Sequence, residues 1–235
     1  MKVNLGYNDT YVAASNLYLI ISFVIFIPLT GMWLHKVHRV RESLFIGFAL
    51  FAVYYIYTAQ FFYPEENAHF FFIPMIIWGA AYGISMTSLA YYASVNIPAH
   101  ENVNRAFFSI ISRTVVGAPI ASTLWIDRFN YFNQKHYDLI SAQYGMDDYR
   151  VSNLWNSLVS GHLKAGNSME QAHQLAQGTL SNMIYKDALI VSAQNIYYVL
   201  AGVSIFLAIL ALSLKVLNIH YEKEKNKYPL TYMDV

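Results

Sequence analysis

The sequence predicts an all-α protein, a polytopic membrane bundle of five transmembrane helices. Three observations support this: five long apolar runs, 12% charged against 56% hydrophobic residues, and charges that concentrate between the runs. Each run is close to the roughly 20 residues that a helix needs to cross about 30 Å of hydrocarbon, and lipid offers backbone amides no other partner. The runs are residues 12–34, 43–63, 70–96, 107–126 and 193–214.

The composition excludes several classes of function. Aromatic residues make up 17% of the chain without an accompanying basic stripe, so nucleic acid is not an expected partner. The absence of cysteine removes disulfides, thiol catalysis and iron–sulfur clusters. The eight histidines fall at helix ends or in loops and are expected to be solvated. We expect no metal, no cofactor and, since no catalytic constellation is present, no enzyme activity.

The charges between the runs predict the orientation. One side of the membrane carries 8 Lys and Arg against 5 acids, and the other carries 6 against 9. The basic side holds the turn at residues 35–41, the turn around Arg105 and the C-terminal tail, so the positive-inside rule places these in the cytoplasm. An odd number of spans then puts the N-terminus outside. We expect an N-terminus without a cleavable signal, because Asp9 precedes a first run that exceeds an ordinary signal-peptide core.

Three regions follow from this topology. Residues 1–126 hold the first four transmembrane helices, residues 127–192 form an extracytoplasmic helical loop, and residues 193–235 hold the last transmembrane helix and a cytoplasmic tail. The loop has helical periodicity, and Ser168 with Gln171 predicts a capping box that opens a helix running toward the last span. A cap on the outer helix ends is the preferred interpretation, and a contact with a substrate or partner is the alternative.

Small residues at intervals of four predict close packing between helices. Gly79 and Gly83 form one such pair and Gly117 and Ala121 form another, and stripes of this kind let helices approach closely in membranes. Pro119 follows Gly117 and Ala118, which predicts a kink in the fourth span.

Arg113 is the charged residue that lies inside a run. An ionised side chain at membrane depth is costly and usually faces a cavity or the bundle interior. We favour a role in lining a pathway over snorkelling or a structural bond to a carbonyl. Tyrosines and amides within or at the edges of the runs suit an aromatic, weakly polar cavity for amphipathic molecules, although interfacial anchoring also explains many tyrosines. The cavity candidates are Arg113, Gln60, Tyr57, Tyr82, Asn96 and Asn195.

The order of these features resembles the C-terminal part of the EmrB/QacA-type drug:proton antiporters, the fourteen-helix branch of the major facilitator superfamily. The resemblance lies in the opening LGYNDTYVA, the basic turn HKVHRVRES, the span WGAAYGISM and the stretch NIPAHENVNRAFFSIISRTVVGAPIAST. It continues through NSMEQAHQLAQ in the long loop and DALIVSAQNIYYVLAG at the last span. It covers nearly the whole chain.

This resemblance implies a partial major facilitator fold, the last five of fourteen helices of a proton-coupled multidrug exporter of the inner membrane. The N-terminal half of the carrier would be a separate partner or be missing, and the chain would be inactive alone as a truncated or split product or a fragmentary gene product. The lipid bilayer, amphipathic small molecules and a periplasmic adaptor are the other expected partners. The alternative is a non-transporting scaffold whose outer helical loop docks a partner.

Overall fold

The computed structural model describes residues 9–61, 72–95, 102–144 and 149–214, and these residues are helical apart from short turns and helix ends. Within these ranges, five helices are long and apolar enough to cross a membrane. The predicted fold class, an all-α polytopic membrane bundle, is therefore confirmed. The helices are α1 (Asp9–Val37), α2 (Val40–Gln60), α3 (Phe72–Val95), α4 (Asn102–Ile111), a π-helical turn (Ser112–Gly117), α5 (Ala118–Gln143), α6 (Tyr149–Lys164) and α7 (Met169–Ser213).

The core of the bundle consists of α1, α3, α2 and the C-terminal half of α7, packed in that order. α3 packs against both α1 and α2, and α2 packs against α7, whereas α1 and α2 barely touch. Consecutive helices α1 and α2 are therefore separated by α3. One buried cluster at an end of this core joins α1, α2 and α7. In it, Leu34 of α1 and Val40 and Leu44 of α2 pack with Ala211 of α7.

Glycines bring α3 close to its two neighbours. A methyl group added to Gly79 would lie 2.5 Å from the Leu19 carbonyl oxygen, and one added to Gly83 would lie 3.3 Å from the Phe26 Cβ. On the opposite side, a methyl group on Gly47 of α2 would overlap the Ser85 hydroxyl. Gly47 was not among the predicted packing residues, although Ser43 four residues earlier supplies the same small-residue spacing.

Buried hydroxyl groups supplement this packing. Ser22 of α1 donates a 2.7 Å hydrogen bond to the Ile76 carbonyl of α3. The hydroxyls of Ser43 on α2 and Ser88 on α3 lie 2.6 Å apart, and Ser88 also donates to the Ile84 carbonyl of its own helix. Hydrogen bonds between membrane helices contribute on average about 0.6 kcal/mol each. At that strength, these bonds specify how α3 is aligned along its neighbours but contribute little to the free energy of helix packing.

The fourth predicted span continues well beyond its apolar run. α4, the π-helical turn and α5 follow one another without a break, and residues Ala106–Gln143 form a 38-residue candidate span. A π-helical turn lies at the position of the predicted kink, and in it the Ala118 amide donates to the Arg113 carbonyl five residues earlier. Pro119 has no amide hydrogen and its ring crowds the carbonyl four residues before it, so a widened turn here relieves that crowding.

Helices α5 and α6 each pack against α7 beyond the core. α7 is a single helix of 45 residues that begins at the predicted capping box, in which Ser168 and Gln171 bond to each other's backbone amides. The prediction that this helix runs on into the last span is confirmed. The boundaries predicted at residues 127 and 193 fall inside α5 and α7, so their correspondence to the membrane surface stays a prediction.

Candidate functional site

The structure joins two of the predicted cavity residues, Arg113 and Tyr82. The Arg113 guanidinium donates a 3.0 Å hydrogen bond to the Tyr82 hydroxyl, across 31 positions of sequence. α3 supplies the tyrosine and the π-helical turn supplies the arginine. The side chain of Arg113 remains exposed beside this bond. A guanidinium has five N–H donors, so further donors are available to a ligand that reaches the same place.

Two cavities meet at this pair. The first, which we call the α1–α3 cavity, has a volume of about 280 Å³ and is lined by Leu19, Phe23, Trp78, Gly79 and Tyr82. The second, the α3–α4 cavity, has a volume of about 660 Å³. It is lined by Met86, Leu89, Ala90, Tyr92 and Ala93 of α3, by Ala106, Ser109 and Ile110 of α4, and by Arg113. Both linings are predominantly apolar, as ligand sites for amphipathic compounds usually are.

One face of α3 runs along both cavities. Trp78, Tyr82, Met86, Ala90 and Ala93 recur every three or four residues, which places them on one side of the helix. The first two line the α1–α3 cavity and the last three line the α3–α4 cavity. Tyr82 and Arg113 therefore occupy the junction of two compartments that share a wall.

An aromatic cluster lies next to the α1–α3 cavity. The ring centroid of Tyr82 is 5.3 Å from that of Phe23 and 6.4 Å from that of Trp78. Trp78 in turn lies 6.0 Å from Tyr54 of α2, and Tyr54 lies 6.5 Å from Tyr197 of α7. The wall of the cavity is thus connected through aromatic contacts to two further helices, α2 and α7. Trp78 was missed in the sequence, although its position four residues before Tyr82 is a usable signal.

The other predicted cavity residues lie elsewhere. Tyr57 contacts Phe61 in a tilted arrangement, with ring centroids 4.5 Å apart, and Gln60 is exposed at the end of α2. Asn195 bonds to His136 of α5 rather than to a residue of either cavity lining. Asn96 lies outside the described residues. The roles proposed for these four residues stay predictions.

The predicted packing pairs also differ from each other. Gly79 and Gly83 lie against α1, as described above. A methyl group on Gly117 would meet the Ser112 carbonyl of its own helix at 3.1 Å, and no other described atom lies within 4 Å. Ala121 is exposed. A packing role for Gly117 and Ala121 therefore stays a prediction.

Two histidines are held by side chains of other helices. His38 is half-buried, and its Nδ1 lies 2.6 Å from the Tyr91 hydroxyl. His136 is also half-buried, and its Nε2 lies 2.6 Å from the amide nitrogen of Asn195. Both are therefore only partly solvated, and the sequence could not show this because position along the chain does not reveal a partner 53 or 59 residues away.

The His136–Asn195 bond is expected to couple α5 to α7. Combining His136→Ala with Asn195→Ala should cost less than the sum of the single changes, with a coupling of about 0.5–1.5 kcal/mol in the free energy of unfolding. Denaturant titration in detergent measures it. As a control, Asn130→Ala alters an exposed amide on the same helix and should add to Asn195→Ala without coupling. Strict additivity of the His136 and Asn195 changes would contradict the prediction.

The arrangement defines a class of protein: a polytopic membrane protein with an arginine–tyrosine pair between two apolar cavities. Two relatives from Escherichia coli, strain K12 and O157:H7, are each named multidrug export protein EmrB. Each is 25% identical to this chain over 210 residues, which cover 88% of the chain and 38% of the relative. The chain thus spans well under half the length of these relatives. No family model matches the chain, and no solved structure matches it.

Proposed function

We propose that this chain forms part of the wall of a multidrug exporter of the major facilitator type. The observation that carries the proposal is the likeness to two multidrug export proteins along 88% of the chain, together with Arg113 at the junction of two apolar cavities. In the proposal, the α1–α3 and α3–α4 cavities belong to the route of amphipathic compounds. The four other cavity candidates lie on the same route in this proposal, at places where further helices complete the pathway: Tyr57, Gln60, Asn96 and Asn195.

Other parts of the proposal follow from the resemblance. The five spans correspond to the C-terminal helices of a fourteen-helix carrier, protons drive the export, and the chain alone transports nothing. The protein lies in the inner membrane with its N-terminus outside and its C-terminus in the cytoplasm. Its partners are lipid, the helices of an N-terminal half and an outer adaptor, and it has no catalytic activity and binds no nucleic acid.

The exposure of the fourth span supports a role within a larger assembly. Among the described residues of the most apolar stretch of this span, none is buried. Phe107, Phe108, Val115 and Leu124 each expose more than half of their surface. Lipid can cover these apolar groups, but it cannot solvate the guanidinium of Arg113 on the same helix. Further helices or a water-filled cavity beside Arg113 satisfy both requirements.

A chimera tests the proposal. Residues of the Escherichia coli EmrB protein that align with this chain are replaced by the chain, and efflux of an amphipathic dye is measured in cells that lack their own exporters. The chimera should export dye above a control in which the aligned segment is deleted. Equal dye retention in the two strains, at equal amounts of inserted protein, would count against a transport role.

The second candidate function is a scaffold that docks a partner through the outer helices. It is favoured by the exposed aromatic residues of α5 and α6, since Tyr131 is 58% exposed and Tyr149 is 78% exposed. Under this alternative, the chimera would insert and fail to export, while replacing both tyrosines by serine would reduce capture of the partner.

A further inference from the structure

Two side-chain hydrogen bonds link the fourth span to other helices of the bundle. Arg113 bonds to Tyr82 of α3, and further along the same span His136 bonds to Asn195 of α7. Arg113 and His136 lie 23 positions apart, and the chain between them is helical without a break. At about 100° per residue, an uninterrupted α-helix would place these two side chains roughly 140° apart. It would therefore present them on different faces.

The π-helical turn removes most of this mismatch. Its hydrogen bond runs from the Ala118 amide to the Arg113 carbonyl, over five residues rather than four, so the turn holds one more residue than a turn of α-helix. One extra residue offsets the direction of the side chains by about 100°, which brings Arg113 and His136 to within roughly 40° of each other. Both side chains then lie on the same side of the helix.

The exposure of the fourth span agrees with this offset. The face of α4 that holds Arg113 also carries other lining residues of the α3–α4 cavity, Ala106, Ser109 and Ile110. In an unbroken α-helix that face would continue along Leu124 and Tyr131, which are 59% and 58% exposed. With one extra residue it continues instead along partly covered residues of α5, namely Phe129, Phe132 and His136.

Two residues maintain the turn. Pro119 has no amide hydrogen, and in an α-helix its ring would crowd the carbonyl of Val115 four residues earlier. A methyl group on Gly117 would lie 3.1 Å from the Ser112 carbonyl oxygen, so glycine leaves room for the widened ring. Pro119 thus disfavours the α-helical alternative, while Gly117 permits the π-helical form.

We propose that the π-helical turn is an angular adjustment in the fourth span, which lets one continuous helix form both hydrogen bonds, and that Gly117 and Pro119 act through it as positioning residues for Arg113. The inference rests on the proposed transport function, because the direction of Arg113 matters for export when the cavities belong to the pathway. Without the adjustment, Thr114 would take the place of Arg113, since Thr114 stands four positions before Ala118.

Cysteine cross-linking in the full chain in nanodiscs tests which residue faces Tyr82. The chain has no cysteine, so introduced pairs can be joined by a bifunctional thiol reagent without a background reaction. Otherwise unaltered, the chain should cross-link Tyr82→Cys to Arg113→Cys in higher yield than to Thr114→Cys. A third pair, His136→Cys with Asn195→Cys, reports whether α5 keeps its contact with α7.

Removing the proline should exchange the two cross-links. Pro119→Ala restores the missing amide and allows an α-helical turn, so the yield at position 114 should exceed the yield at position 113. Deleting Val116 from the same variant removes the extra residue and should return the preference to position 113. Ile120→Ala is the control, because it alters a neighbouring exposed residue and keeps both the proline and the residue count.

An insertion changes the angle without touching the turn. One alanine inserted between Thr123 and Leu124 keeps Gly117 and Pro119 and adds about 100° between α4 and the far part of α5, so it should also favour position 114. Deleting Val116 together with this insertion should restore position 113. If the Pro119→Ala variant fails to insert into the membrane, the alanine insertion decides the result.

Three outcomes would overturn the proposal. One is an unchanged preference for position 113 in both the Pro119→Ala variant and the insertion, with the His136–Asn195 pair still cross-linked. Another is a preference for position 114 that deletion of Val116 does not reverse, because the proline would then act by distorting the helix. The third is loss of the His136–Asn195 cross-link while position 113 keeps its preference, since the turn would then not position Arg113.

This inference and the proposed transport function fail in different ways. Cross-links that exchange as expected, in a chain whose chimera exports no dye, would overturn the transport function and leave the angular adjustment. A chimera that exports dye, in which Pro119→Ala and the insertion leave the cross-links unchanged, would overturn the adjustment and leave the transport function. Where both hold, Pro119→Ala should reduce export by the chimera and deletion of Val116 should restore it.

Discussion

Replacing Arg113 by alanine in the EmrB chimera is expected to reduce dye export by about tenfold or more. The change removes the bond to the Tyr82 hydroxyl and the positive charge at the junction of the cavities. A hydrogen bond that involves a charged group contributes about 1.5–3 kcal/mol, and every 1.4 kcal/mol corresponds to a factor of ten. The helix should still insert, because losing a charge at membrane depth favours the bilayer.

Export rate and membrane content are measured together for this variant. Arg128→Ala, which removes an exposed arginine from α5, is the matched control and should export at the natural rate. Undiminished resistance of Arg113→Ala cells to a toxic substrate, at equal amounts of protein in the membrane, would show that the guanidinium has no part in the pathway.

The Gly79→Ala variant is expected to be destabilised by about 1–3 kcal/mol, because the added methyl group overpacks the α1–α3 contact. That group would lie 2.5 Å from the Leu19 carbonyl oxygen and 2.8 Å from the Ser22 Cβ, and neither atom can withdraw without moving the α1 backbone. The Ser22–Ile76 hydrogen bond would lengthen with it. Thermal unfolding in detergent, followed by tryptophan fluorescence, should give a midpoint several degrees lower.

Gly202 of α7 supplies the control for this change. It lies within the last span, and apart from the adjoining backbone of its own helix a methyl group added there would have no described atom within 4 Å. Gly202→Ala should be neutral or slightly stabilising, since alanine is the better helix former by about 1 kcal/mol. A pair of variants with equal midpoints would mean that α1 and α3 are not held at the close distance described.

The number of candidate spans and their helical type could be predicted from the sequence because the hydropathy and length of an apolar run are read directly from the order of residues. The ends of the helices could not be predicted as well. The apolar run that ends at residue 126 belongs to a helix that continues to Gln143. The part of the helix beyond the run is amphipathic, and it packs on α7. The long final helix was foreseen because Ser168 and Gln171 form a recognisable cap.

The site was predictable only in part. A charge in lipid is costly, so Arg113 could be identified from the sequence alone. The small residues Gly79 and Gly83 likewise predict a close contact between helices. Nothing in the sequence indicates that Arg113 meets Tyr82, since the two lie on different helices, 31 positions apart. The pairing of Asn195 with His136 is hidden for the same reason. Tertiary partners depend on how helices are arranged, which residue types alone do not specify.

The continuity of α7 has a mechanical consequence. Met169 stands 24 positions before Ala193, which corresponds to roughly 36 Å along a straight rod at 1.5 Å per residue. With no hinge between them, an inclination of the last span by about 10° displaces that far tip by roughly 6 Å. A small change in the tilt of the last span would thus produce a larger movement near Met169, which a label attached there can detect.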